Sequence, residues 1–138
     1  MKYILEFKEK AISKGRPRFS RYGGTYTPER TRNYETMIGL KFKEKYKNEP
    51  SEKPIKALVV FTFEPPKSLS KKKRQELLLT EYYTKKPDID NTIKAIFDGL
   101  NGTAYKDDAQ ICDLKTRKIY GLEDSIYIEL EEITDEWV

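Results

Sequence analysis

The segment Ile55–Phe63 constrains the fold of this chain more than any other stretch of the sequence. It carries apolar residues at both odd and even positions, Pro54 precedes it, and Pro65 and Pro66 follow it. A strand with apolar side chains on both faces is typical of the interior of a sheet. The segment is therefore predicted to be a central strand of a β-sheet.

Weaker patterns predict the elements around this strand. Alternating apolar residues at positions 3, 5 and 7 indicate a half-buried strand. Helix starts are indicated at Thr27, which precedes a Pro–Glu pair, and at Ser70. Helices are predicted over residues 27–47, 70–79 and 90–100, and two more strands over residues 110–120 and 125–133. The predicted fold class is α+β, with one domain over residues 1–138 and a mainly antiparallel or mixed sheet of about four strands packed against helices.

The composition excludes several classes of function. The longest apolar run, residues 57–61, is far shorter than the roughly 18 residues that a membrane-spanning helix needs. The chain contains no histidine, which excludes His-based catalysis and His-ligated metals. The single cysteine, Cys112, excludes an intrachain disulfide, and we expect it to be a small core residue. These features predict a protein of a reducing compartment, the cytoplasm.

Positive and negative charges are distributed unevenly along the chain. Residues 1–122 contain all 27 Lys and Arg and 16 of the 23 acidic residues, whereas residues 123–138 contain seven acidic residues and no basic one. Such an excess of positive charge favours a polyanionic partner. Segment 14–24 is rich in Arg and Gly and includes Phe19 and Tyr22, as in loops that follow a nucleic acid backbone. An ordinary solvated arm is the alternative.

The first candidate catalytic residues lie just after Pro87. A proline favours an extended backbone in the residue before it, and residues two apart in an extended stretch point the same way. Asp88 and Asp90 are therefore predicted to converge, with Ile89 turned into the core. Asp90 starts the predicted helix, and Lys94 follows one turn later on the same side. The alternative is that Asp90 only caps the helix and that Lys94 is an ordinary surface residue.

A second acidic pair, Asp107 and Asp108, precedes the strand predicted over residues 110–120. One of these carboxylates, placed beside Asp88 and Asp90, would complete an all-oxygen site of the kind that binds Mg²⁺ or Mn²⁺. Three clustered carboxylates repel each other, so such a cluster in a cationic protein is unusual without a metal ion. The alternative is a solvated turn.

Together these motifs closely resemble the RusA family of Holliday junction resolvases, in the type found in phages and prophages. The motifs read DIDN over residues 88–91, KAIFDGLN over residues 94–101 and DDAQ over residues 107–110. The loop over residues 15–21 and the helix entry over residues 27–34 are similar too, so the resemblance covers most of the chain. The acidic end after Glu123 matches no motif.

The resemblance implies a RusA-like fold and a role for each motif residue. The catalytic, metal-binding acids of the family correspond to Asp88, Asp90 and Asp108, and its essential lysine corresponds to Lys94. The choice of Asp108 over Asp107 rests on the resemblance alone. The implied activity is Mg²⁺-dependent phosphodiester hydrolysis in four-way junctions during DNA recombination and repair, with Mn²⁺ as a substitute and Lys94 opposing transition-state charge.

Branched DNA and a second copy of the chain are the implied partners, because a two-fold symmetric junction needs two opposed nicks and favours a C₂ homodimer. No membrane partner is expected. The alternatives are a non-catalytic nucleic-acid-binding module, a metal nuclease acting on flaps, forks or RNA, and an interaction domain that uses the acidic end. The candidates for contacts with the DNA backbone are Arg16, Arg18, Arg21, Arg30, Arg32, Lys85 and Lys86.

Overall fold

A four-stranded mixed sheet and three α-helices make up most of the computed structural model, which describes residues 1–15, 18–26 and 28–134. The strands are β1 (Lys2–Phe7), β2 (Arg18–Phe19), β3 (Thr25–Tyr26), β4 (Ile55–Phe63), β5 (Ile111–Tyr120) and β6 (Ser125–Glu132). The helices are α1 (Glu29–Lys45), α2 (Lys71–Thr80) and α3 (Ile89–Leu100). β2 and β3 form a separate antiparallel pair.

The four strands of the sheet lie in the order β1-β6-β4-β5, so β4 is an inner strand as predicted. β6 is antiparallel to both β1 and β4, whereas β5 is parallel to β4. Alternate side chains of β1, β4 and β6 are buried on one face, where they pack with apolar residues of α1 and α3. The α+β fold with a mixed sheet of about four strands and covering helices is therefore confirmed.

Two glycines allow α1 and α3 to pack closely. A Cβ atom added at Gly39 would lie 3.0 Å from the carbonyl oxygen of Gly99. One added at Gly99 would lie 3.0 Å from the carbonyl oxygen of Glu35 and 3.1 Å from the Cβ of Ile38. This contact fixes α3, which carries the DIDN and KAIFDGLN motifs, against α1.

The Gly99→Ala variant is expected to be less stable than the wild-type protein. Overpacking against backbone atoms costs about 1–3 kcal/mol, which outweighs the gain of about 1 kcal/mol in helix propensity. Urea denaturation measures the difference, with Asn33→Ala at an exposed position of α1 as the matched helix control. A Gly99→Ala protein that is at least as stable as wild type would contradict close helix packing at this point.

The ends of the helices differ in part from the predicted ends. Helix α2 begins as predicted, because the Ser70 hydroxyl accepts a hydrogen bond from the backbone N–H of Lys73 at 3.2 Å. Helix α1 has Pro28 at its N-cap, and the predicted cap, Thr27, lies outside the described residues. Helix α3 begins one residue early, and Ile89 is 38% exposed because it occupies the first helical position and not an inward-facing strand position. The predicted burial of Ile89 is wrong.

Cys112 is exposed, so the prediction that it is a core residue is also wrong. It lies near the start of β5, which is the edge strand of the sheet and pairs only with β4 among the described strands. Its neighbours over residues 113–115 are exposed as well. The side chains at this end of the strand therefore lack a covering layer.

The acidic C-terminal end forms ion pairs with basic groups of the N-terminal residues. The Glu129 carboxylate lies 3.3 Å from the Nζ of Lys2, and the Glu123 carboxylate lies 3.0 Å from the Nζ of Lys8. Glu132 accepts a hydrogen bond from the Ser51 hydroxyl at 2.6 Å. Within β6 itself, Glu129 is thus paired with a basic side chain, whereas Glu132 is held by a neutral hydroxyl. Within residues 1–15, 18–26 and 28–134, no helix has the length and apolar character to cross a bilayer.

Candidate active site

Asp88 occupies the N-cap position of α3, at the end of the loop that follows α2. Its carbonyl oxygen accepts hydrogen bonds from the backbone N–H (3.0 Å) and the hydroxyl (2.6 Å) of Thr92. Its carboxylate does not cap the helix, because both oxygens accept hydrogen bonds from the Nζ of Lys86 at 2.8 and 3.0 Å. The Lys86 ammonium holds the pKa of Asp88 below its usual range. The carboxylate is therefore ionised at neutral pH.

Three consecutive carbonyl groups before Asp88 accept hydrogen bonds from two side chains. The Nζ of Lys118 donates to the carbonyl oxygens of Lys85 and Pro87, each at 2.6 Å. The Tyr83 hydroxyl donates to the carbonyl oxygen of Lys86 at 2.7 Å. Burial lowers the pKa of Lys118, and the negative charge of Asp88 opposes this shift. Hydrogen bonds from Lys118 and Tyr83 therefore hold each of the three residues that precede Asp88.

Asp90 lies in the first turn of α3 and lines the same cavity as Asp88. This cavity has a volume of about 500 Å³ and is also lined by Tyr82, Tyr83 and Lys118. The extended backbone that was expected to bring the two aspartates together ends at Asp88, where the helix begins. The start of the helix, and not strand alternation, places both aspartates at the cavity.

Asp107 and Asp108 have different structural roles although they are adjacent. Asp107 is the N-cap of a short 3₁₀ helix over Asp108–Gln110, where its side chain faces the backbone N–H of Gln110 in a capping box and its carbonyl oxygen accepts from that N–H at 3.0 Å. The Gln110 side chain accepts in return from the backbone N–H of Asp107 at 2.9 Å. Its amide donates to the carbonyl oxygens of Ser51 (2.8 Å) and Lys53 (2.9 Å), so the motif is anchored to the segment before β4. Asp107 and Gln110 thus act as structural residues.

Asp108 lies in a negatively charged environment. Burial raises its pKa above the usual range, and the charges of Asp107 and Asp98 raise it further. Lys94 opposes the shift because its ammonium attracts the Asp108 carboxylate. Lys94 makes no ion pair within 4 Å among the described residues. The lysine therefore acts on Asp108 through a longer-range interaction.

The structure groups the sequence-predicted site residues only in part. Asp88 and Asp90 line one cavity, whereas Asp108 interacts electrostatically with Lys94, Asp98 and Asp107. Among the described residues, no three acidic side chains lie close enough together to hold a metal ion. The paired carboxylates of Asp88 and Asp90 still fit the preference of a hard divalent cation for oxygen ligands. A cation at Asp88 would take over the position now held by the Lys86 ammonium.

A second cavity, of about 710 Å³, shares Asp88 with the first. It is lined by four basic side chains, those of Lys10, Lys14, Arg30 and Lys86. Lys14 and Lys86 are ion-paired with carboxylates, but Lys10 and Arg30 form no ion pair among the described residues, and such cations attract phosphate groups. Asp88 therefore lies between a cationic cavity and a cavity with aromatic walls.

Only two of the predicted DNA contacts that the structure describes line this second cavity. Arg30 and Lys86 line it, whereas Arg21, Arg32 and Lys85 are exposed elsewhere on the surface. Arg16 and the side chain of Arg18 lie outside the described part of the chain. The contacts of all seven with DNA stay predictions.

Lys14, the first residue of the Arg- and Gly-rich segment 14–24, has contacts that the sequence did not predict. Its Nζ forms ion pairs with Glu35 and, at 3.0 Å, with the carboxylate of Asp98. Its backbone N–H donates to the carbonyl oxygen of Asn91 at 3.0 Å. Lys14 thereby fastens the segment after β1 to α3. Lys10, Tyr83 and Lys118 were missed, since their roles depend on contacts between residues far apart in the sequence.

Carboxylates that could bind a divalent cation, with basic side chains beside them, would suit a site that acts on a phosphodiester backbone. Comparison with known families agrees: the chain belongs to the family described as endodeoxyribonuclease RusA, whose model matches residues 9–131. It is also 31% identical, over 132 residues, to a Bacillus subtilis (strain 168) protein named "Uncharacterized protein YqaN". That match covers 89% of this chain and 91% of the relative. The RusA resemblance of the motifs is thus confirmed, and the family is one of endodeoxyribonucleases.

Proposed function

We propose that this protein is a divalent-metal-dependent endonuclease that resolves four-way DNA junctions in recombination and repair. The observation that carries the proposal is the combination of the RusA family match with two aspartates of the DIDN motif at one cavity. The cationic cavity on the other side of Asp88 supports a DNA substrate. A chromosomal or phage DNA substrate would be met in the cytoplasm.

In this proposal, Asp88, Asp90 and Asp108 would hold Mg²⁺, with Mn²⁺ as a substitute. Because the three carboxylates do not form one cluster among the described residues, Asp108 would have to approach the other two when the ion binds. Asp108 is favoured over Asp107 because the Asp107 carboxylate is engaged as a helix cap. When bound, such an ion supplies Lewis-acid activation of the phosphate and of water. Lys94, which attracts the Asp108 carboxylate, would place its positive charge near the same acids and oppose charge that develops on the phosphate.

The DNA backbone is proposed to approach Asp88 from the cationic cavity. Arg30 and Lys86 would contact the phosphates nearest to the site, since they line this cavity. Lys86 would exchange its carboxylate partner for a phosphate when a metal ion occupies Asp88. The candidates for more distant phosphate contacts are Arg16, Arg18, Arg21, Arg32 and Lys85.

A homodimer is proposed as the active form. A four-way junction has two-fold symmetry, and its resolution needs two nicks on opposed strands. The motifs supply one set of catalytic acids in each chain. Two copies related by a two-fold axis would present two such sets to the two scissile phosphates.

Cleavage of a labelled four-way junction with Mg²⁺ tests this function. We expect cutting at paired positions, at least about tenfold faster than cutting of a linear duplex with the same sequence, because phosphate placement and shape provide the selectivity. EDTA is expected to stop the reaction, and added Mg²⁺ to restore it.

Other substrates distinguish this proposal from its rivals. Equal rates on junction and linear duplex would contradict junction selectivity, and faster cutting of flaps, forks or RNA would identify a nuclease of another preference. Binding to the junction without cutting in either Mg²⁺ or Mn²⁺ would indicate a non-catalytic nucleic-acid-binding module.

A further inference from the structure

We propose that Lys118 and Tyr83 are positioning residues that set the metal affinity of the site by holding the loop that carries Asp88. The inference rests on the proposed function, because it takes Asp88 as a metal ligand. Neither residue lies in the DIDN, KAIFDGLN or DDAQ motifs. Both act on backbone carbonyl groups, so their effect on Asp88 would be indirect.

The loop before α3 has its carbonyl groups fixed one after another. Those of Lys85 and Pro87 accept from the Nζ of Lys118 at 2.6 Å each, and that of Lys86 accepts from the Tyr83 hydroxyl at 2.7 Å. The next carbonyl, that of Asp88, accepts from the helix itself. Four successive peptide groups are therefore oriented, and the direction in which the Asp88 side chain leaves the backbone is set with them.

The donors are attached to the four-stranded sheet. Lys118 lies on β5 and pairs in register with Phe61 of the inner strand β4. The Tyr83 ring stacks on Phe63 of the same strand, with the ring centroids 4.0 Å apart and the planes 15° from parallel. Lys118 and Tyr83 thus anchor the loop to the sheet, although the loop itself lies at the surface.

Contacts of Lys118 within the protein occupy its ammonium group. Two of its three N–H donors serve the carbonyl groups, and the Nζ lies 5.2 Å from the centroid of the Tyr83 ring. Lys85, by contrast, is exposed and forms no ion pair with the residues that the structure describes. The geometry therefore favours a positioning role over a DNA contact.

Because Lys118 is positively charged, the direction in which its removal changes the metal affinity tests the inference. A purely electrostatic effect predicts that removal of this cation strengthens binding of a divalent metal ion. A positioning effect predicts the opposite, because residues that orient metal ligands typically contribute about 10–100-fold to metal affinity. Tyr83→Phe removes one hydrogen bond without a change in charge and retains the stacked ring, so it isolates the positioning effect.

Titration with Mn²⁺ alone, followed by the electron paramagnetic resonance signal of the free ion, measures the affinity without DNA or turnover. We expect Lys118→Met to weaken Mn²⁺ binding about tenfold or more and Tyr83→Phe to weaken it by a smaller factor. Lys118→Arg, whose guanidinium can also donate to two carbonyl groups, should recover part of the loss. Lys115→Met, which removes the same charge from an exposed position of β5, is the matched control and should bind as wild type.

Asp88→Asn distinguishes failure of this inference from failure of the proposed function. If Asp88→Asn binds Mn²⁺ as wild type does, the metal site itself is wrong and the inference fails with it. If Asp88→Asn loses binding while Lys118→Met and Tyr83→Phe retain the wild-type affinity, the positioning role is wrong and the metal site stands. Thermal unfolding verifies that each variant is folded, and should Lys118→Met not fold, Tyr83→Phe decides the result.

Junction binding in EDTA provides an independent readout. A positioning role predicts that Tyr83→Phe and Lys118→Arg bind the four-way junction with wild-type affinity, since neither loses a phosphate contact or a charge. A loss of junction binding that parallels the loss of Mn²⁺ binding would instead indicate general damage to the site and would overturn the assignment.

Discussion

Asp88→Asn is expected to reduce the rate of junction cleavage by about 10³-fold or more. The carboxylate is ionised, lies at the helix start and shares a cavity with Asp90, so it is the best-placed ligand for a divalent cation. Loss of a metal ligand removes several kcal/mol of transition-state stabilisation, and about 1.4 kcal/mol corresponds to a factor of ten in rate. Single-turnover cleavage of a labelled junction in Mg²⁺ measures the effect.

The same substitution should leave junction binding intact or strengthen it. Asparagine removes a negative charge that repels phosphate, and it frees Lys86 from its ion pair with the carboxylate. Asp113→Asn, at an exposed position of β5, removes the same charge outside the site and should cut as wild type. Cleavage by Asp88→Asn at the wild-type rate would show that Asp88 is not a metal ligand.

A large contrast is expected between substitutions at the two adjacent aspartates of the DDAQ motif. Asp108→Asn should reduce cleavage by about 10³-fold, because it removes the third proposed metal ligand. Asp107→Asn should change the rate by no more than a few fold. Its side chain serves as the cap of the 3₁₀ helix, and asparagine is as good a cap as aspartate.

Each variant is the control for the other, because both remove one negative charge and the two positions are adjacent. Single-turnover rates in Mg²⁺ and in Mn²⁺ compare them, and urea denaturation verifies that both keep the wild-type fold. If Asp107→Asn lost activity while Asp108→Asn retained it, the roles of the two residues would be exchanged. Equal losses in two stable proteins would indicate that the whole acidic cluster, and not one ligand, supports the reaction.

Strong patterns of apolar residues predicted the fold well. The alternation at positions 3, 5 and 7 and the two-faced strand Ile55–Phe63 appear in the structure as β1 and the inner strand β4. These patterns succeed because burial of alternate side chains depends mainly on the local sequence and on one covering layer. The order of strands in the sheet depends on distant pairing, so it could not be predicted. The exposure of Cys112 on the edge strand follows from that order.

The roles of the candidate site residues stay predictions, and the contacts around these residues could not be predicted from the sequence. Asp88 and Asp90 line one cavity, but the reason differs from the expected one, because the helix begins at Ile89 and ends the extended stretch. Helix boundaries depend on capping and on tertiary contacts that a local pattern does not contain. The hydrogen bonds from Lys118 cross more than 30 positions of the chain, and no spacing rule identifies such a contact.

The position of β6 has a consequence for how the chain is made. Residues 125–132 are inserted between β1 and β4, which are therefore not hydrogen-bonded neighbours. While the ribosome is still adding these residues, β1 lacks the partner that it has among the described strands, and β4 lacks at least one of its neighbours. The sheet that anchors Lys118 and Tyr83 can therefore be completed only after residues 125–132 leave the ribosome. Until then, the nascent polypeptide has unpaired strand edges.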